Sequence, residues 1–142
     1  MRSFIQDYLA ELSQFPDEAP DYKDEQGIYH YPYLDDYWQE PERFPYLMYA
    51  DDEIAGFAFV RRLEDHWNMS EIYVLPRFRR YGVGLECAAQ LMRKHPGTWR
   101  IRYNKHNTPS RMVWEKLVWW LGAGDVERGE LDANHGYIRF SV

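Results

Sequence analysis

Residues 72–84 read Ile72-Tyr73-Val74-Leu75-Pro76-Arg77-Phe78-Arg79-Arg80-Tyr81-Gly82-Val83-Gly84. An extended apolar run is stopped by Pro76, turns through arginines, and at Gly82 and Gly84 enters a segment of different period. There Val83, Cys87, Ala88, Leu91 and Met92 recur at helical spacing. The first N–H groups of a helix have no internal partners, and the helix dipole makes that end partly positive. An anion placed there collects several N–H bonds. Glycines let the backbone approach it with no Cβ in the way, and Arg79 and Arg80 add charge beside the spot. The spacing alone admits two readings: a diphosphate site, or a structural turn with solvated arginines. It is neither the dinucleotide G-x-G-x-x-G nor the P-loop, since no Lys-Ser or Lys-Thr follows Gly84.

Outward from this turn the pattern sets the order of elements. Upstream, Trp67 to Leu75 reads as a strand, Leu63 to His66 as a turn, and Ile54 to Val60 as a strand with Gly56 as a candidate bulge. Asp51-Asp52 is a turn and Tyr46 to Ala50 another strand, giving a three-stranded antiparallel meander. Downstream, the helix runs from Val83 to Lys94 and closes at His95-Pro96-Gly97. Thr98 to Tyr103 alternates as a strand, and Thr108-Pro109 starts a second helix that Gly122 and Gly124 end. Val126 to Leu131 and Gly136 to Val142 form a closing hairpin. The strand–helix–strand unit at 67–103 predicts a parallel crossover pair within an otherwise antiparallel sheet. The expected class is α+β: a central mixed, mostly antiparallel sheet flanked by helices. At the start, Phe4, Ile5, Tyr8, Leu9, Leu12 and Phe15 predict an amphipathic helix ended by Pro16. Residues 16–43 read as a long irregular segment with one short helix near Leu34 to Gln39.

A length of 142 residues predicts one domain. The net charge of −6 argues against a nucleic-acid partner and allows a cationic acceptor. Cys87 is the one cysteine, which excludes an internal disulfide and fits a reducing cytoplasm. No apolar run approaches a membrane span, and the N-terminus lacks a signal peptide's continuous apolar stretch. The five histidines show no metal-ligand spacing, so no metal is expected.

The string Arg79-x-x-Gly82-x-Gly84 resembles motif A of the GNAT superfamily of acyl-CoA N-acyltransferases. Val74-Leu75-Pro76 before it, and Asn107-x-x-Ser110 followed by Trp114-Glu115-Lys116-Leu117 after it, stand where the superfamily carries related strings. The resemblance covers about residues 44–121 and implies an acetyl-CoA-dependent N-acetyltransferase. Its cofactor-binding residues would be Ile72, Tyr73 and Val74 along the pantetheine arm, the amides of Arg80, Tyr81, Gly82, Val83 and Gly84 with Arg79 at the pyrophosphate, and Asn107 near the sulfur. The oxyanion would be held by a backbone N–H near Val74. Trp114 stands where the family commonly has a tyrosine that protonates the leaving thiolate, and an indole cannot supply that proton at neutral pH. Tyr103 and Tyr73 are substitutes by residue type. The alternative is a non-catalytic acyl-CoA-binding or interaction module on the same fold.

The acceptor is expected to be an amine, on a small molecule or peptide, that must be neutral to attack. Glu71 is the candidate base; strand alternation puts it with Tyr73, opposite Ser70, Ile72 and Val74. The same residue type suits a plain surface strand equally well. The aromatic, acidic run Tyr29 to Trp38 reads as a loop pinned onto the domain, with acceptor binding as the rival reading. Cys87 reads as core. Trp119 and Trp120 read as packed residues, with a homodimer contact as the other use for one of them.

Overall fold

The computed structural model describes residues 6, 8, 10, 25, 26 and 35–142, with the side chains of Arg80 and Tyr81 outside that description. Most of the expected first helix and of the irregular segment, including Tyr29 to Leu34, therefore lies outside the described residues. Gln6, Tyr8 and Ala10 are helical, and Asp35–Trp38 forms one 3-10 turn.

Six strands and two α-helices follow: β1 (Arg43–Ala50), β2 (Glu53–Arg62), β3 (Trp67–Val74), α1 (Val83–Lys94), β4 (Thr98–Asn104), α2 (Thr108–Trp120), β5 (Gly124–Glu130) and β6 (His135–Ser141). The strands form one sheet in the order β1-β2-β3-β4-β6-β5, antiparallel except where β3 meets β4. This is the expected α+β architecture, with the parallel crossover through α1. The first strand starts three residues earlier than its apolar run, at Arg43, because ladder pairing to Arg61 extends it.

One face of the sheet packs under α1 and α2. Its core includes Met48, Ala58, Val60, Met69, Trp99, Ile101, Ile138 and Phe140, met by Ala88, Ala89 and Met92 of α1 and Leu117 of α2. Burying one such large side chain stabilises by about 1.5–3 kcal/mol. The other face carries Phe57, Phe59 and Tyr73, covered by Tyr8 and by Tyr37, whose ring stacks on Phe59 at 4.2 Å. Tyr37 thus pins the Asp35–Trp38 turn onto the sheet, while the rest of the aromatic, acidic run lies outside the described residues. Trp119, by contrast, is 81 % exposed, which corrects the expectation that it packs: it lies on the outward side of the last turn of α2, whose Leu117 and Val118 take the core side.

Two irregularities shape the site. A bulge sits beside Gly56, with Met48 opposite Gly56 and Tyr49 opposite Ile54. Gly56 itself is required by β3, since a Cβ there would lie 1.9 Å from the Tyr73 carbonyl oxygen. A second bulge falls at Ser70, because Phe59 faces Glu71 while Val60 faces Met69. An extra residue bends a strand and raises its twist. It also breaks the expected alternation: Met69, not Ser70, shares the helix-facing side with Ile72 and Val74.

Candidate active site

β3 and β4 pair only at Trp67–Trp99 and Asn68–Arg100. Beyond the Ser70 bulge they part, and a cavity of about 950 Å³ opens between them. Leu75 N–H donates to Ala55 on β2, so by alternation the peptide groups of Val74 point the other way, into the gap. Among the described residues no strand pairs with this edge of β3 after Asn68. Ile72, Tyr73 and Val74 all line the cavity, as do Arg79, Gly82, Gly84, Asn107 and Trp114.

The turn after β3 is a 3-10 segment, Pro76–Tyr81, which hands over to α1 through Gly82. Gly82 has φ +70°, a conformation that costs other L-residues about 1–2 kcal/mol, and the space where its Cβ would point is open. Gly84 serves packing: a Cβ there would lie 3.0 Å from Val74 Cγ2. No side chain caps α1, and Glu86 N–H is bonded back to Gly82. The N–H groups of Val83, Gly84 and Leu85 therefore have no acceptor one turn behind them in the helix. Arg79 also makes a contact the sequence does not announce. Its Nε donates to the Val74 carbonyl at 2.8 Å and its guanidinium lies 5.3 Å from the Tyr73 ring centre, so it braces the end of β3. The expectations for the Arg80 and Tyr81 side chains lie outside the described residues.

Glu71 and Tyr73 share the sheet face opposite the helices. Tyr8 donates its hydroxyl proton to Glu71 Oε2, and its ring lies 5.7 Å from that of Tyr73. Trp114 is 6 % exposed on α2 at the far wall. Asn107 caps α2, its side-chain oxygen accepting from Ser110 N–H at 3.2 Å. Tyr103 also lines the cavity, but its ring lies over Gly136 of β6, with the hydroxyl carried away from β3. Sequence reasoning missed Tyr8, Asn68, Arg102 and Asn104, which line the same cavity. Only Asn104 had a local signal, as a polar end to an apolar strand; it is buried and accepts from His106 N–H at 2.9 Å. Cys87 is half-buried on α1, and burial followed by the charge of Glu86 pushes its thiol pKa up, away from thiolate chemistry. Among the described residues no three His, Cys, Asp or Glu side chains gather as a metal site, and no helix is long and apolar enough to cross a membrane.

An open strand edge and a glycine-started helix thus meet at a cleft between parting parallel strands. The model of the acetyltransferase (GNAT) family matches residues 9–118, and the chain belongs to that family. Membership sets the class of activity: an N-acetyltransferase that takes its acetyl group from acetyl-CoA. Solved structures share the fold. An acetyltransferase from Thermus thermophilus matches with TM-score 0.71 at 9 % identity, over 99 % of this chain and 90 % of that one. A GNAT family acetyltransferase from Elizabethkingia anophelis, with acetyl-CoA bound, matches with TM-score 0.59 at 13 % identity, over 77 % and 81 % of the two chains. The ribosomal-protein-S18-alanine N-acetyltransferase from Escherichia coli matches with TM-score 0.56 at 16 % identity, over 98 % and 86 %. Among curated proteins no sequence match is found.

Proposed function

We propose that the chain, as one domain, transfers an acetyl group from acetyl-CoA to a primary amine by direct attack in the cleft between β3 and β4. The observation that carries this reading is the β3 edge at Ile72–Val74, which no described strand pairs, followed by the uncapped helix start at Gly82. The residues present fit the donor. The Ile72 peptide groups take the arm as an added strand would be taken, beside Tyr73 and Val74, whose carbonyl is held by Arg79. The amides from Arg80 to Gly84 take the diphosphate, with Val83 and Gly84 at the dipole's positive end. Arg79 holds the strand end to which the arm binds, and Asn107 faces its sulfur end. Bound there, the donor supplies an activated thioester carbonyl.

Glu71 is the base that relieves the attacking amine of its proton, and the hydroxyl of Tyr8 keeps its carboxylate in place. The Val74 N–H, directed into the gap, stabilises the developing oxyanion. Trp114 walls the cleft and donates at most a hydrogen bond. Of the two tyrosines suited by type to protonate the thiolate, Tyr73 stands beside Glu71, whereas the hydroxyl of Tyr103 is turned to β6. The reaction belongs in the cytoplasm, in keeping with the free Cys87. Contact between two copies is supported by exposed Trp119.

The test is calorimetric titration of CoA and acetyl-CoA, followed by thioester turnover with an amine panel. Wild type is expected to bind both ligands. Glu71→Gln is expected to bind them equally well while losing about 10²–10⁴-fold in kcat. Absence of CoA binding would sink the reading. Full turnover by Glu71→Gln would remove Glu71 from the base's role.

A further inference from the structure

The face of the sheet that carries Glu71 also gathers arginines, in a chain of net charge −6. β4 sends Trp99, Ile101 and Tyr103 into the helix-side core and so turns Arg100 and Arg102 to the opposite face. On β6, Ile138 and Phe140 face the core, which puts Arg139 on that same opposite face, directly across the ladder from Arg100. Like charges placed opposite each other destabilise a sheet. Arg139 is answered by Asp65, to which it donates at 3.2 Å.

Arg100 has no such answer. It is half-buried, its Nε is fully buried with no acceptor, and among the described residues its guanidinium has no ion pair. A desolvated charged donor without an acceptor costs free energy. Its ladder neighbour Asn68 lines the cleft, and so does Arg102, the next residue on its face.

Arg102 is oriented from behind. Its terminal nitrogen donates to His135 Nε2 at 2.8 Å, and His135, 1 % exposed, donates from Nδ1 to Asp132 at 2.9 Å. An accepting Nε2 requires the neutral ring with its proton on Nδ1, which the Asp132 carboxylate holds there. Side chains two residues apart on a strand face arise about 7 Å apart, within reach of one small anion for two arginines. A guanidinium pair is suited to carboxylate or phosphate oxygens.

We propose that Arg100 and Arg102 recognise an oxyanion, a carboxylate or a phosphate, carried by the amine acceptor, with Arg102 set in place by the His135–Asp132 pair. The acceptor is then an amino acid or a phosphorylated amine rather than a polyamine. The proposal rests on the cleft being the acetyl-transfer site.

Two measurements on the full chain test it. In the first, the arginine Nε–H resonances are followed by NMR while N-acetylglycine or inorganic phosphate is added, with Arg100→Gln identifying the Arg100 signal. Saturable movement of that signal is expected: with N-acetylglycine if the anion is a carboxylate, with phosphate if it is a phosphate. No movement with either up to about 50 mM, far weaker than a useful acceptor site, overturns the proposal whether or not any amine is turned over. In the second, kcat/KM is compared within matched pairs, glycine against glycinamide and glucosamine 6-phosphate against glucosamine, with spermidine as a cationic control. The anionic member is expected to lead, and its lead to shrink about tenfold or more in Arg100→Gln through KM. A preference for the neutral member, or a ratio unchanged by Arg100→Gln, overturns it. Arg100→Gln should keep or raise the melting temperature, since no protein partner is lost; a clear fall assigns the side chain to the fold and overturns the proposal. CoA titration stands apart from all of these, so failure of the donor site is separately visible.

Discussion

Gly82 separates what the turn does for the fold from what it does for the ligand. Its φ of +70° penalises any residue with a Cβ, while nothing lies within 4 Å of where that Cβ would stand. Gly82→Ala therefore meets strain and no clash, a cost of about 1–2 kcal/mol. Loss of unfolded-state freedom returns about 0.4–1 kcal/mol. The net destabilisation is about 1 kcal/mol, which lowers Tm by about 4 °C in a domain of this size. Asn tolerates the left-handed region, so Gly82→Asn should recover part of that loss. Ligand binding follows a different rule. Either side chain fills the open space above the α1 amides, so both variants should weaken CoA by about tenfold, or 1.4 kcal/mol, or more. Thermal melts and calorimetric titration read the two quantities on the same samples. If both variants bind CoA with the wild-type Kd, the diphosphate does not lie over Gly82 and the cradle argument fails.

Gly84→Val should destabilise by about 1–3 kcal/mol in urea unfolding, because even its Cβ would stand 3.0 Å from Val74 Cγ2 and α1 must move off β3. Arg128 grips Glu115 with two nitrogens at 2.8 and 2.7 Å, joining β5 to α2, and this hydrogen bonding holds the Glu115 carboxyl below the usual carboxylate range. Its contribution is present above the unfolded-state pKa and fades as pH falls through the lowered one. Because the pair is largely solvated, Glu115→Gln should cost under about 1 kcal/mol at neutral pH, and the difference from wild type should shrink away as pH falls through the carboxyl's lowered range; a difference that does not shrink on acidification would refute the assignment. His95 Nε2 shares a hydrogen bond of 2.6 Å with the Tyr46 hydroxyl, its ring lies against that of Trp67, and burial, then the charge of Lys94, lowers its pKa. The unfolded chain then takes up this proton more readily, so stability should decline as pH falls through about 6.5. Melts at several pH values should show a shallower decline in His95→Asn; an unchanged slope would exclude His95 as its source.

The sequence by itself determined the elements and the turn that opens α1. Period and punctuation placed α1 at Val83–Lys94 to the residue, put β2 to β4 and the closing hairpin in order, and marked Gly82 and Gly84 as the helix start. These are local properties: the spacing of apolar residues, a proline that stops a strand, a glycine that permits a positive φ. Only the tertiary structure decided what surrounds Glu71 and the gap between β3 and β4. The Ser70 bulge exists because β2 and β3 slip by one residue against each other, and no pattern within β3 announces it. Tyr8 reaches Glu71 across 63 residues, and Arg102 meets His135 across 33. Arg100 looks in sequence like any outward strand residue; that it stands beside Asn68 and opposite Arg139, with its Nε buried, follows from strand order. Trp119, apolar at the end of an apolar helix, reads as core and stands in solvent because it falls on the outward side of α2, while Leu117, Val118 and Leu121 around it take the core side. Local chemistry fixes conformation within a few residues, whereas the partner of a charge or the cover of a side chain is set by which distant segments the sheet brings together.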